Sequence, residues 1–225
     1  MLTAVRRKLA MAVRVRDFCR IHLADDPTYR SALDELEERL ARADVLATQQ
    51  RNGSQDQKAA TERRRDLRRL IQTQLLPQLA RVDERVARKR PDLASGFRLP
   101  RSNAPLKTFQ IAAKAMLAKT LEARDLFVSQ GMPAAMLDAL TRGVAEFDEV
   151  TAQAHGAKAR QVGATADLLA VTDQISKLVR ILGGFNEFRF DEDRELKAAW
   201  LSASDTVGPF RGGVAPPDSG LAPAA

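Results

Sequence analysis

The stretch YRSALDELEERLARADVLATQQRNGSQDQKAATERRRDLRRLIQTQLLPQLARVDERVARKR, Tyr29 to Arg90, decides the fold. Counted in threes and fours from Leu33, it places Leu36, Leu40, Ala43 and Ala47 on one seam. The count then passes through Gln50, Ser54, Gln57, Thr61 and Arg64, and apolar residues resume at Leu67, Ile71, Leu75, Leu79, Val82 and Val86. A loop in the middle would have no reason to preserve that phase, so the pattern predicts one long helix with apolar ends and a polar waist. At ~1.5 Å per residue it would be about 90 Å long. Asn52-Gly53-Ser54 is a turn signal and supports the opposite reading, a reversal and a compact bundle of six short helices. Acids crowd the first turns (Asp34, Glu35, Glu37, Glu38) and cations the last (Arg85, Arg88, Lys89, Arg90), as the dipole of a single helix favours. Pro77, inside the apolar half, should kink it.

The totals agree with an all-α chain. Of 225 residues, 44% are hydrophobic and 29% charged, which allows a buried core beneath a charged surface, and only 5% are aromatic. Runs of alternating β-branched residues are absent. The one cysteine, Cys19, excludes an intramolecular disulfide framework and a cysteine-cluster metal site. No run approaches the ~18 apolar residues of a membrane span. The basic first 16 residues lack the apolar core and cleavage site of a signal peptide, so a cytoplasmic location is the expectation.

Taken outward from the long helix, a first helix should cover Thr3 to Ala24 and stop at Asp25-Asp26-Pro27, with Thr28 capping the helix that follows. The segment from Pro91 to Pro105 is rich in Pro, Gly, Ser and Asn and reads as an extended strap. A third helix should run from Leu106 to Gln130, with Gly131 its stop and Pro133 opening the next. From Leu137 the spacing Leu140, Val144, Phe147, Thr151, Ala154, Lys158, Gln161, Thr165, Leu168, Thr172, Ile175, Val179, Leu182 never slips, through His155-Gly156 and Gly163 alike. This predicts a second long helix from Pro133 to Leu182, released by Gly183-Gly184.

Both long helices have polar or small waists at matching distances from their ends. Set antiparallel, they place Leu33 near Leu182, Gln57 near Lys158 and Val82 near Pro133. The fold expected is an elongated antiparallel helical bundle built on two long helices, with shorter helices packed at each end. A last short helix from Asp191 to Ser204 would bring Phe185, Phe188, Phe190 and Trp200 over the Leu182 end. Residues 1–207 would form one domain and 208–225 a disordered tail.

FRLPRS before a helix, FVSQGMPAAMLDAL at the reversal and ELKAAWLSAS near the end together resemble a group of uncharacterised bacterial all-helical proteins of similar length. The resemblance spans Phe97 to Ser204. It implies a bacterial, single-domain helical protein and brings no activity or site residues with it.

No motif names a reaction. Cys19 and His22 stand three apart on a helix, but a metal would need further ligands, and a buried thiol beside a core-edge imidazole explains them better. His155 has no nucleophile or carboxylate at a useful spacing. Asp191, Glu192, Asp193 and Glu195 lack the spacing of a calcium loop and suit the first turn of a helix. No catalytic, cofactor or metal site is expected.

The basic residues carry the one functional signal, against a net charge of +7. Arg63, Arg64, Arg65, Arg68 and Arg69 fill two turns, and Arg85, Arg88, Lys89 and Arg90 follow. Strung along a helix they could track a phosphate backbone, although Glu62, Asp66, Asp83 and Glu84 are interleaved. The expectation is a non-enzymatic bundle acting through a protein partner or self-association, with nucleic-acid or polyanion binding as the alternative.

Overall fold

The computed structural model describes residues 2–89, 91 and 97–207. The order is α1 (Thr3–Ile21), α2 (Pro27–Leu70), a π turn (Ile71–Leu75), α3 (Leu76–Ala87), α4 (Leu106–Glu122), α5 (Arg124–Ser129), α6 (Ala134–Arg189) and α7 (Arg194–Ser204). No strand occurs among the described residues. The fold is all-α, built on the two long helices. Arg90 and the expected tail, 208–225, lie outside the described residues.

The α2 helix runs unbroken through Asn52-Gly53, and α6 through His155-Gly156 and Gly163. Preserved phase therefore outweighs the turn dipeptide. Three local expectations need correction. The cap of α2 is Asp26, whose carboxylate accepts the N–H groups of Thr28 (2.7 Å) and Tyr29 (3.1 Å) and is held below its usual pKa by them. Pro27 is then the first residue of the helix, where its missing N–H is no loss. The expected third helix divides at Ala123 into α4 and α5, with no glycine, proline or capping side chain to mark the break. Gly183-Gly184 does not end α6, which continues to Arg189. Gly183 is buried under Trp200, whose Cζ2 stands 3.6 Å from where a Cβ would be, and Leu182 and Asn186 are fully buried beside it, so packing overrides weak helix propensity.

Pro77 produces a π turn rather than a simple bend. It has no N–H for the carbonyl four residues back, and just before it the Leu76 N–H donates to Ile71, a five-residue step.

The contacts divide the chain into two compact units, Met1–Gln50 with Val162–Ala225, and Arg51–Gln161. In the first, the α2 residues Tyr29, Leu33, Leu36, Leu40 and Leu46 meet Leu168, Ile175 and Leu182 of α6. They run antiparallel, with Tyr29 edge-on to Phe185 (5.8 Å between centroids) and Gln50 Nε2 donating to Thr165 Oγ1 at 2.8 Å. Helix α1 covers this pair through Val15, Phe18 and Cys19, and α7 packs on α1 by Trp200 against Phe18 (5.5 Å).

In the second unit, Leu67, Ile71, Leu79 and Val86 meet Leu137, Leu140, Val144 and Phe147, and α4 and α5 complete the core with Phe109, Met116 and Phe127. The chain reverses at Gly131 (φ 92°), the position expected to stop the preceding helix. Here too α2 and α6 are antiparallel: Arg63 Nε donates to Glu146 Oε1 at 2.7 Å, and Gly53 lies against Ala157 and Gln161. The antiparallel direction is the one expected.

The waist itself differs. The buried positions are Gly53 and Ala60 on α2 rather than Ser54 and Thr61, and Ala154 and Ala157 on α6 rather than Lys158. The seam is lined with small side chains that let two backbones approach, and the polar residues flank it.

Candidate functional site

Because α6 continues past Gly184, Ile181, Gly184, Phe185 and Phe188 fall at helical spacing on one face, opposite the buried face of Val179, Leu182 and Asn186. Phe188 does not cap the Leu182 end as expected; it is 87% exposed, whereas Phe190 is buried. Phe185 is half-buried against Tyr29. With Ala24, these α6 residues line a groove of about 580 Å³ in the first unit. Ile181 is 48% exposed along it, and nothing stands within 4 Å of where a Cβ on Gly184 would be.

Two charged residues rim this groove, Asp26 and Arg189, and both are engaged within the chain. Asp26 caps α2. The Arg189 guanidinium donates to the carbonyls of His22 (3.0 Å) and Leu23 (3.2 Å) and lies over the rings of Tyr29 and Phe190. What the groove offers a ligand is apolar surface.

Behind it sit Cys19, Tyr29 and Asn186, all fully buried. Asn186 Nδ2 donates to Cys19 Sγ at 3.8 Å. Burial pushes up the pKa of the Cys19 thiol and, more strongly, that of the Tyr29 hydroxyl, with the neighbouring thiol adding to the latter. This thiol is poorly suited to nucleophilic or metal chemistry. His22 does not converge with it on a shared site, its ring lying 4.6 Å from that of Phe18. Among the described residues no three His, Cys, Asp or Glu side chains gather as a metal site would require. Within the acidic run, Asp193 caps α7 by accepting from Glu195 N and Leu196 N, and Asp191 pairs with Lys197 at 2.8 Å. His155 is exposed on α6.

The structure separates the basic residues by what each already holds. Arg63 is paired with Glu146. Arg68 clamps the strap: its Nη2 donates to the carbonyls of Ser102 (3.1 Å) and Ala104 (2.6 Å), and its guanidinium lies 5.0 Å from the centre of the Phe109 ring. Gln72 adds a hydrogen bond to the Pro100 carbonyl at 3.3 Å. Arg64 is half-buried. Arg85 lies beside Gly131, and Arg88 and Lys89 are exposed past the end of α3.

Arg65 and Arg69 are exposed and make no ion pair among the described residues. Both line a cavity of about 500 Å³ with Arg68, Leu99, Pro100 and Ser102. Arg65 also lines a second one, about 310 Å³, with Ser54, Gln57, Lys58, Glu62 and Gln161. The structure thus brings together two of the nine expected residues as open cations and adds Lys58.

No family model, curated protein or solved structure matches this chain. No helix of the described residues is long and apolar enough to cross a membrane.

Sequence reasoning missed the apolar groove because Gly183-Gly184 read as a helix stop. Had the helix been continued, Ile181, Phe185 and Phe188 would have shown as a second apolar stripe opposite the core seam.

Proposed function

We propose that this chain is a non-enzymatic helical-bundle protein that works by docking a protein partner, and that the partner lays an amphipathic helix into the groove along Ile181, Gly184, Phe185 and Phe188. The observation that carries the reading is Phe188, 87% exposed at the edge of an apolar groove whose rim charges are already used. A large aromatic held in water on an ordered helix gains about 1.5 to 3 kcal/mol when covered. The bare Cα of Gly184 leaves a notch between Ile181 and Phe188 that a ridge of a second helix could fill. Helix-in-groove recognition reads such stripes through apolar anchors at i, i+3, i+4 and i+7.

The test uses a fluorescent amphipathic peptide with leucine at those spacings, titrated by anisotropy. Phe188→Asp should weaken its binding at least tenfold and leave the melting temperature unchanged, since this side chain supports no core. Equal binding by the variant would sink the proposal. Sedimentation at increasing concentration separates the other occupant: a dimer lost in Phe188→Asp would replace the partner helix with a second copy of this chain.

A further inference from the structure

We infer that the surface running from Ser54 on α2 to Thr73 in the π turn, together with residues 98–102 beside it, is a binding track for a phosphodiester polyanion, engaged through the backbone of a nucleic-acid duplex. Two cavities on the second unit share Arg65 as a common wall, which makes them successive stations along one helix. Lys58 stands at the first and Arg69 at the second, both exposed and without an ion pair among the described residues. Eleven residues separate these two, so at ~1.5 Å per residue the cations are strung over about 16 Å. A single phosphate is recognised by groups that converge on it. A line of cations of this length suits successive phosphates, which a duplex strand presents about every 3.4 Å along its axis.

The acids do not cancel the line. Glu62 borders the first cavity, the second has no carboxylate in its wall, and Asp66 borders neither. Arg98 and Arg101, both exposed, flank the strap residues Leu99, Pro100 and Ser102 that form the far wall of the second cavity. The Arg68 clamp holds that wall in place. The threonines on the track spend their hydroxyl protons on their own helix, Thr61 on Gln57 O and Thr73 on Arg69 O, each at 2.7 Å. The positive charge that meets an anion comes from the cations. Neither cavity has an aromatic residue in its wall, so bases have nothing to stack on. With no element presented to a groove, the contact reads charge and not sequence.

The experiment titrates a random-sequence 20-base-pair DNA duplex by anisotropy across salt from roughly 50 to 200 mM. The wild-type chain should show log K falling against log salt with a slope of about −3 or steeper. Arg65→Gln with Arg69→Gln should flatten that slope by about two and weaken low-salt binding at least tenfold. Both side chains are exposed, so the melting temperature serves as the folding check. Arg63→Gln, which removes a cation already paired with Glu146, should change the slope by less than either of the other two substitutions. No binding at low salt, an unchanged slope in the double variant, or tighter binding of poly-glutamate than of the duplex would overturn the inference.

Discussion

Gly53 faces the main chain of α6 so closely that a Cβ built on it would stand 3.2 Å from the carbonyl oxygen of Ala157. The same atom would meet the amide nitrogen of Gln161 at 3.2 Å. Both neighbours are helix backbone, and neither can rotate aside as a side chain would. The glycine sits mid-helix because two long helices touch there.

Ordinarily a glycine inside a helix gives up about 1 kcal/mol to alanine. At Gly53 the sign should reverse: Gly53→Ala forces the helices apart and should destabilise by about 1 to 2 kcal/mol. Gly163→Ala is the internal comparison, since that position is exposed with nothing within 4 Å, and it should stabilise by about 0.5 to 1 kcal/mol. Urea midpoints of the two variants measure the contrast. Stabilisation by both would mean that the helices do not meet at Gly53.

Asp83 supplies a pH dependence. It is 6% exposed on α3, and its Oδ1 has no hydrogen-bond partner. Burial, reinforced by the charge of Glu84 and opposed by Lys119, raises its pKa from 3.8 to about 6. A carboxyl with a raised folded-state pKa contributes stability that is full below the unfolded value and is lost as pH rises through the folded one. The loss should therefore develop between about pH 4 and pH 6 and persist at neutrality. Asp83→Asn removes the buried charge and should stabilise at pH 7 by on the order of 1 to 2 kcal/mol, with little gain at pH 4. Thermal melts at the two pH values check this, and an equal effect at both would show that charge is not the cause.

How far the sequence could be read depended on which force set each feature. The two long helices were legible because an apolar seam in constant phase leaves its mark over many turns, and the antiparallel direction followed from matching the waists. Where packing acts through small residues the record is faint. Gly53 and Ala60 lie one step from Ser54 and Thr61, and a count in threes and fours fits either set. Gly183-Gly184 read as a stop because what keeps them helical is Trp200, distant in sequence. Asp26 was legible as a cap only if Pro27 was taken as a helix opener. The basic residues were visible as a group, but which of them remain open was not: Arg63 and Arg68 are engaged by Glu146 and by the strap carbonyls, partners 83 and 34 or more residues away.

The most direct test of the central claim, that α2 and α6 run antiparallel and unbroken past each other at Gly53, is a cross-link. The Cβ of residue 53 would stand 3.3 Å from the Cβ of Gln161, and a disulfide needs about 3.5 to 4.5 Å, which a small relaxation supplies. In a chain carrying Cys19→Ala, Gly53→Cys and Gln161→Cys, mild oxidation should close an intramolecular bridge in nearly every molecule, seen as the loss of both free thiols in the intact monomer. Two thiols that stay free under conditions that oxidise a model dithiol would contradict the pairing, and the chain would have to turn back on itself at Asn52-Gly53.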